Sequence, residues 1–107
     1  MTRGARTPEV LEALLEDACI VQDAAALGRL FVHRAVLDAG SGRRDARGRQ
    51  EIERAVASMW DREWTYIAEP RRVFRAGDTA LTIGRAINVV RRGRDGTWRF
   101  AIAVMDP

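Results

Sequence analysis

The stretch from Gly84 to Pro107, GRAINVVRRGRDGTWRFAIAVMDP, leaves this chain few ways to fold. It reads as two apolar strands joined by a turn at Arg94-Asp95-Gly96. Asp-Gly between two β-rich runs is a strong hairpin signal, because Gly takes φ > 0 without steric penalty. Val89, Trp98, Phe100, Ile102 and Val104 are side chains suited to a pleated, half-buried surface. Strict alternation along the last strand puts Ala101, Ala103 and Met105 on one face and Trp98, Phe100, Ile102 and Val104 on the other. The rest of the chain looks built to cover this hairpin.

The preceding residues supply helices first and strands later. Met1 to Arg6 reads as a loose arm. Thr7-Pro8-Glu9 is a helix start: Thr caps, Pro suits the first helical position, and Glu favours the positive end of the helix. Leu11, Leu15 and Cys19 recur every fourth residue as its apolar face, with Glu12, Glu16 and Asp17 placed away from it. Asp23 caps a second helix, Ala24 to about Phe31. Ala35 to Ala39 is a short strand, Gly40-Ser41-Gly42 a turn, and Arg43 to Arg47 a second short strand. A third helix runs from Arg49 to about Trp60, with Ile52, Val56 and Met59 inward. Trp64 to Arg75 reads as a strand interrupted by Pro70, and Ala76-Gly77-Asp78 as a hairpin turn. Thr79 to Ile83 follows, and passes through Gly84 into Ala86 to Arg92 as one bent strand or two short ones.

This order implies an α+β class, with three helices across the concave face of a curved, largely antiparallel sheet that forms a cone. The 107 residues fit one domain, 1–107, with a single core. At 47% hydrophobic residues, the chain has enough apolar side chains to leave the disordered class. No run is apolar enough to span a bilayer, and no secretory signal is visible, so a cytoplasmic location is expected. The single cysteine, Cys19, cannot close an internal disulfide. The net charge of +3 comes entirely from arginine on the basic side, and acidic residues alternate with it nearly throughout. That mixing argues against a nucleic-acid surface, which needs basic side chains gathered on one face. His and Cys are too few for a usual zinc set, no phosphate-binding glycine loop is present, and no cofactor is called for.

Three features together carry a resemblance. They are the helix–Asp–short helix–strand opening, Arg47-Gly48-Arg49-Gln50-Glu51-Ile52 at a helix head, and the Asp95-Gly96-Thr97-Trp98-Arg99 hairpin. From Val10 onward the chain resembles the nuclear transport factor 2-like superfamily, in its bacterial SnoaL-like and ketosteroid isomerase-related branch. The resemblance implies a cone-shaped α+β barrel, often dimeric, with a pocket between helices and sheet. It also places the isomerase's catalytic positions on this chain. The carboxylate base falls at Ala39, the oxyanion-binding tyrosine at Leu15, and the second oxyanion group at Asn88. Alanine cannot take a proton and leucine cannot donate one, so ketosteroid isomerase activity is not expected. The resemblance further implies a longer connection before the Asn88 strand than Thr82-Ile83-Gly84-Arg85 provides.

Three readings of function follow. In the first, the cone binds a hydrophobic small molecule. Its lining would be Leu15, Cys19, Phe31, Ala39, Met59, Asn88, Ala101 and Met105, with the Asn88 amide orienting the ligand. In the second, the chain is a SnoaL-like cyclase, isomerase or hydrolase whose acid–base groups are Asp38, His33 and Asn88. In the third, it is a non-catalytic homodimeric module with a filled interior. The expected dimer face is the bulky one, with Trp98, Phe100 and Ile102. No membrane partner is expected.

Overall fold

The computed structural model of the chain describes residues 4–40, 42–69 and 72–105. The arm's first three residues, Ser41 of the expected turn and Pro70 of the expected strand interruption lie outside them. Helix α1 spans Pro8–Ile20, α2 Ala24–Gly28 and α3 Arg49–Trp60. The strands are β1 (Phe31–Asp38), β2 (Ala46–Arg47), β3 (Arg72–Ala76), β4 (Thr79–Ile83), β5 (Ile87–Arg92) and β6 (Trp98–Val104). They form one sheet in the order β2-β1-β6-β5-β4-β3. Its β1–β6 pair is parallel and its other pairs are antiparallel.

The helix signals act as their chemistry requires. The Thr7 hydroxyl accepts from the Val10 amide at 3.1 Å, and Asp23 Oδ1 accepts from the Ala26 amide at 3.0 Å. Each satisfies one amide that the first helical turn leaves without a partner. Gly48 precedes α3 at φ 83°, a left-handed angle, and its amide donates to Ala35 O at 2.9 Å. The second helix ends at Gly28, and the strand after it begins at Phe31 rather than Ala35. Among the described residues of the expected strand from Trp64 to Arg75, only those from Arg72 onward are strand, in β3; residues 64–69 are irregular. Strands β4 and β5 are two separate strands that pair directly, and the turn between them is closed by Gly84 N donating to Ala86 O at 2.9 Å. The expected arm is tied down at its end. Ala5 is buried, and its carbonyl accepts from Trp98 N at 2.9 Å.

The core lies between the helices and the concave face. Leu11 and Leu15 of α1, Ile52 and Val56 of α3, and Phe31, Val90 and Phe100 of the sheet are all fully buried. The Phe31 and Phe100 rings sit 5.1 Å apart. Burial of each such ring contributes about 1.5–3 kcal/mol.

The last strand corrects the expected alternation. Val89 pairs with Ile102 and Val90 with Phe100, so Ala101 is an extra residue on β6. A bulge of this kind inserts one residue and swaps the faces beyond it. Trp98 and Phe100 therefore point into the core, as do Ala103 and Met105 further on, all buried. Ile102 faces out at 45% exposure. Trp98 and Phe100 thus belong to the chain's own interior and cannot centre an exposed face; of the expected trio only Ile102 remains on the surface. The convex face instead carries a row of cross-strand neighbours, Phe74, Leu81, Val89, Ile102 and Val36. No described helix of the chain covers it. Phe74, on the edge strand β3, is also 45% exposed and carries the Arg72 guanidinium 4.4 Å from its ring centre.

Candidate functional site

A carboxylate is buried among polar side chains inside the cone. Glu12 is 3% exposed, although the sequence pattern placed it on the solvent side of α1. The helical repeat explains its position. Glu12 lies three residues before Leu15 and seven before Cys19, and at 3.6 residues per turn those spacings put all three on nearly the same side.

Three elements bring donors to it. Thr82 on β4 and Asn88 on β5 are directly paired, so both side chains point to the concave side. Thr82 Oγ1 donates to Glu12 Oε1 at 2.6 Å, and Asn88 Nδ2 donates to the same oxygen at 2.8 Å. Tyr66, in the irregular segment after α3, donates its phenol proton to Glu12 Oε2. Asn88 Nδ2 also approaches Thr82 Oγ1 at 3.2 Å and the Tyr66 oxygen at 3.4 Å. Three donors converging on an acceptor-only group suit an ionised carboxylate, and hydrogen bonds to a charged group are worth about 1.5–3 kcal/mol each. Among the described residues no guanidinium pairs with Glu12, so these neutral donors carry the stabilisation.

The electrostatics fit that arrangement. Burial, then the negative Glu12 beside it, pushes the Tyr66 phenol far above its ordinary pKa. Cys19 lies against Trp60 and the Tyr66 backbone, and burial pushes its thiol up as well. A reactive cysteine needs the opposite shift, so Cys19 is a core residue. Asn88 Oδ1 and Trp60 Nε1 are buried without a hydrogen-bond partner among the described residues.

Tyr66 connects this network to the surface. It borders a mouth of about 370 Å³ together with Trp64, Thr65, Ile67, Arg85, Ala86 and Met105. A crevice beside the mouth, too narrow to admit a water molecule, is lined by Glu12 and again by Tyr66, Arg85 and Ala86. The site thus sits at the end of β6 where Met105 emerges.

The structure separates the residues expected to act together. Asn88 is buried in the network and Met105 borders the mouth. Leu15 and Phe31 are fully buried core residues, and Cys19 and Met59 are buried beside them. Ala39 is partly exposed just beyond β1, and Ala101 is the bulge residue. Asp38 pairs with Val104, on the outward register of the sheet, and its carboxylate accepts from the Gly40 amide at 2.8 Å. It closes a turn there and does not reach the buried network. His33 is an exposed residue within β1, not at a helix end, and among the described residues it makes no hydrogen bond to that network. Glu12, Thr82 and Tyr66 were not among the expected site residues. The Glu12–Leu15–Cys19 spacing was the signal for the first. Nothing in the sequence pattern marked Tyr66, which is held by an irregular segment.

Neither a protein-family model nor a curated protein matches the chain. Solved structures do match it in three dimensions. A putative calcium/calmodulin-dependent protein kinase type II association domain from Thiobacillus denitrificans has a TM-score of 0.77 at 18% identity, covering 96% of this chain and 98% of that one. A ketosteroid isomerase-like protein from Erwinia carotovora atroseptica has a TM-score of 0.73 at 18% identity, covering 90% and 89%. An NTF2-like protein with a cystatin-like fold from Novosphingobium aromaticivorans has a TM-score of 0.73 at 21% identity, covering 90% and 76%. At these identities the likeness is one of architecture, and folds of this kind host unrelated functions. With a six-stranded mixed sheet and three helices among the described residues, and with these neighbours, the chain has the NTF2-like, cystatin-like α+β fold.

Proposed function

We propose that the chain binds a small, mostly apolar molecule at the mouth of the cone, with the Glu12–Tyr66–Thr82–Asn88 network as the polar floor. One observation carries this reading. Tyr66 lines the mouth, and its phenol donates into a buried carboxylate network. Apolar walls with a few converging polar groups are the usual make-up of a ligand site. The deeper cone is filled by Leu11, Leu15, Phe31 and Phe100, so the ligand occupies the mouth rather than the interior. Calorimetric titration with 2-naphthol tests this. Saturable binding that weakens in Tyr66→Phe and is unchanged in Asp38→Asn supports the reading. No binding, or binding indifferent to Tyr66, would refute it and favour a module whose interior serves only its own stability.

A second reading is favoured by the same hydrogen bond. Glu12 Oε2 has one donor, Tyr66, whereas Oε1 has two. Glu12 could then act as a base, with Tyr66 relaying a proton to or from a ligand in the mouth. This makes a dehydratase- or isomerase-type enzyme the alternative, with Glu12 and Tyr66 in place of Asp38 and His33. The ketosteroid isomerase-like protein from Erwinia shares the fold, which is consistent with it. Loss of turnover in Glu12→Gln with retained 2-naphthol binding would distinguish catalysis from binding alone.

We infer also that two copies pair through the convex face. Phe74, Leu81, Val89 and Ile102 form a continuous apolar row on it, and a patch of that kind on a folded chain marks an interaction surface. A row of apolar side chains can meet its own copy across a two-fold axis, which suits a dimer. A cytoplasmic setting, in which Cys19 remains a thiol, fits both readings.

A further inference from the structure

We propose that the mouth selects a ligand with an acidic group at one end and a hydrogen-bond donor at the other, held with the acid outward at Arg85 and the donor inward toward Tyr66, with the Glu12 carboxylate behind it. The inference rests on the binding reading above and names the ligand class for that site.

Two opposite charges at different depths carry it. Arg85 is exposed, and it borders both the mouth and the crevice leading inward. Among the described residues it is the only charged side chain bordering the mouth, and it makes no ion pair with a described acid. Its position follows from the short β4–β5 turn, in which Gly84 and Ala86 close on each other and Arg85 projects from the tip. At the inner end lies the Glu12 carboxylate, whose oxygens only accept when ionised. An anion pushed inward would meet a buried negative charge in a medium of low dielectric, where repulsion is strong. The same anion placed outward meets a guanidinium with donors to spare, able to hold a carboxylate through two hydrogen bonds. Glu69, which is exposed, borders the crevice but not the mouth. Between the two ends, Trp64, Tyr66, Ile67 and Met105 provide aromatic and aliphatic surface. A flat aromatic or alicyclic hydroxy acid matches this sequence of surfaces.

Three probes resolve the ends: 6-hydroxy-2-naphthoate carries both groups, 2-naphthol only the donor, and 2-naphthoate only the acid. Calorimetric titration of the wild-type chain is expected to rank the hydroxy acid tightest. Arg85→Gln is expected to weaken its binding by roughly three- to fivefold at low salt, toward that of 2-naphthol, because an ion pair at an exposed rim is modest and screened. Arg85→Lys keeps the charge and should retain most of the affinity. If the hydroxy acid binds no better than 2-naphthol, or if Arg85→Gln has no effect, the outward half of the proposal is overturned while the binding reading stands. If 2-naphthoate equals the hydroxy acid, the inward half is overturned. If none of the three binds, both the proposal and the binding reading fall.

Discussion

Tyr66 donates its phenol proton to Glu12, a residue 54 positions earlier in the chain, and this bond fastens the irregular segment after α3 to the first helix. Segment 64–69 has no strand or helix of its own. Its backbone is tied at the start, where Trp64 N donates to Met59 O at 3.1 Å, and Tyr66 is the side chain that reaches the buried carboxylate. Tyr66→Phe is expected to cost about 1.5–3 kcal/mol in urea unfolding, since it removes a donor from a buried charged group. Combined with Glu12→Gln, the losses should fall short of additive, because the two residues share one network. Additive losses would mean that the bond contributes little.

The same pair gives a prediction at high pH. Tyr66 is the only tyrosine, so tyrosinate absorbance in the near ultraviolet reports on it alone. An ordinary phenol ionises near pH 10. In the folded chain burial and Glu12 raise that value. Above about pH 10 the unfolded chain has released the phenol proton and the folded chain still holds it, so stability falls as pH rises toward the folded-state value. Below that pH both states keep the proton and the phenol contributes no slope. Ionisation at the ordinary value in a chain still folded by circular dichroism would contradict this.

Phe100 and Ile102 lie two residues apart on β6 and should respond in opposite ways. Phe100→Ala removes a fully buried ring packed on Phe31 and is expected to cost about 3–5 kcal/mol. Ile102→Glu changes a surface residue and should leave the fold intact. If the convex face pairs two copies, Ile102→Glu converts the dimer to monomer in sedimentation equilibrium. An unchanged molecular mass would remove that face from consideration.

The capping residues offer a measure of the helix ends. Thr7→Ala and Asp23→Ala should each lower stability by about 1 kcal/mol, by leaving an amide of the first turn without its acceptor. Thermal unfolding of both variants checks it. Losses near zero would show that water replaces the caps.

The architecture is legible in the sequence where local chemistry decides it. Thr7-Pro8 and Asp23 mark helix starts, Ile52, Val56 and Met59 mark the inward side of α3, and Asp95-Gly96 marks the final turn, where Gly96 stands at φ 76°. The site is less legible, because it is made by contacts between distant segments. Asn88 stands out, since a polar residue among Ala, Ile and Val has to be satisfied somewhere. Its partner does not, because a glutamate in an otherwise acidic stretch of α1 reads as solvated. The single extra residue at Ala101 inverts the faces that alternation predicts for part of β6. Alternation is a rule about regular strands, and a bulge leaves no clear mark in composition.

Strand β6 also separates the two ends of the molecule. At its start, Trp98 is bonded to Ala5; at its far end, Met105 borders the mouth. Seven steps along a strand amount to roughly 23 Å. Anything tethered on the N-terminal side of Ala5, such as a surface linker or a fluorophore, would therefore be held at the opposite pole from the opening. Immobilised by that route, the protein would present its entrance to the solution unobstructed.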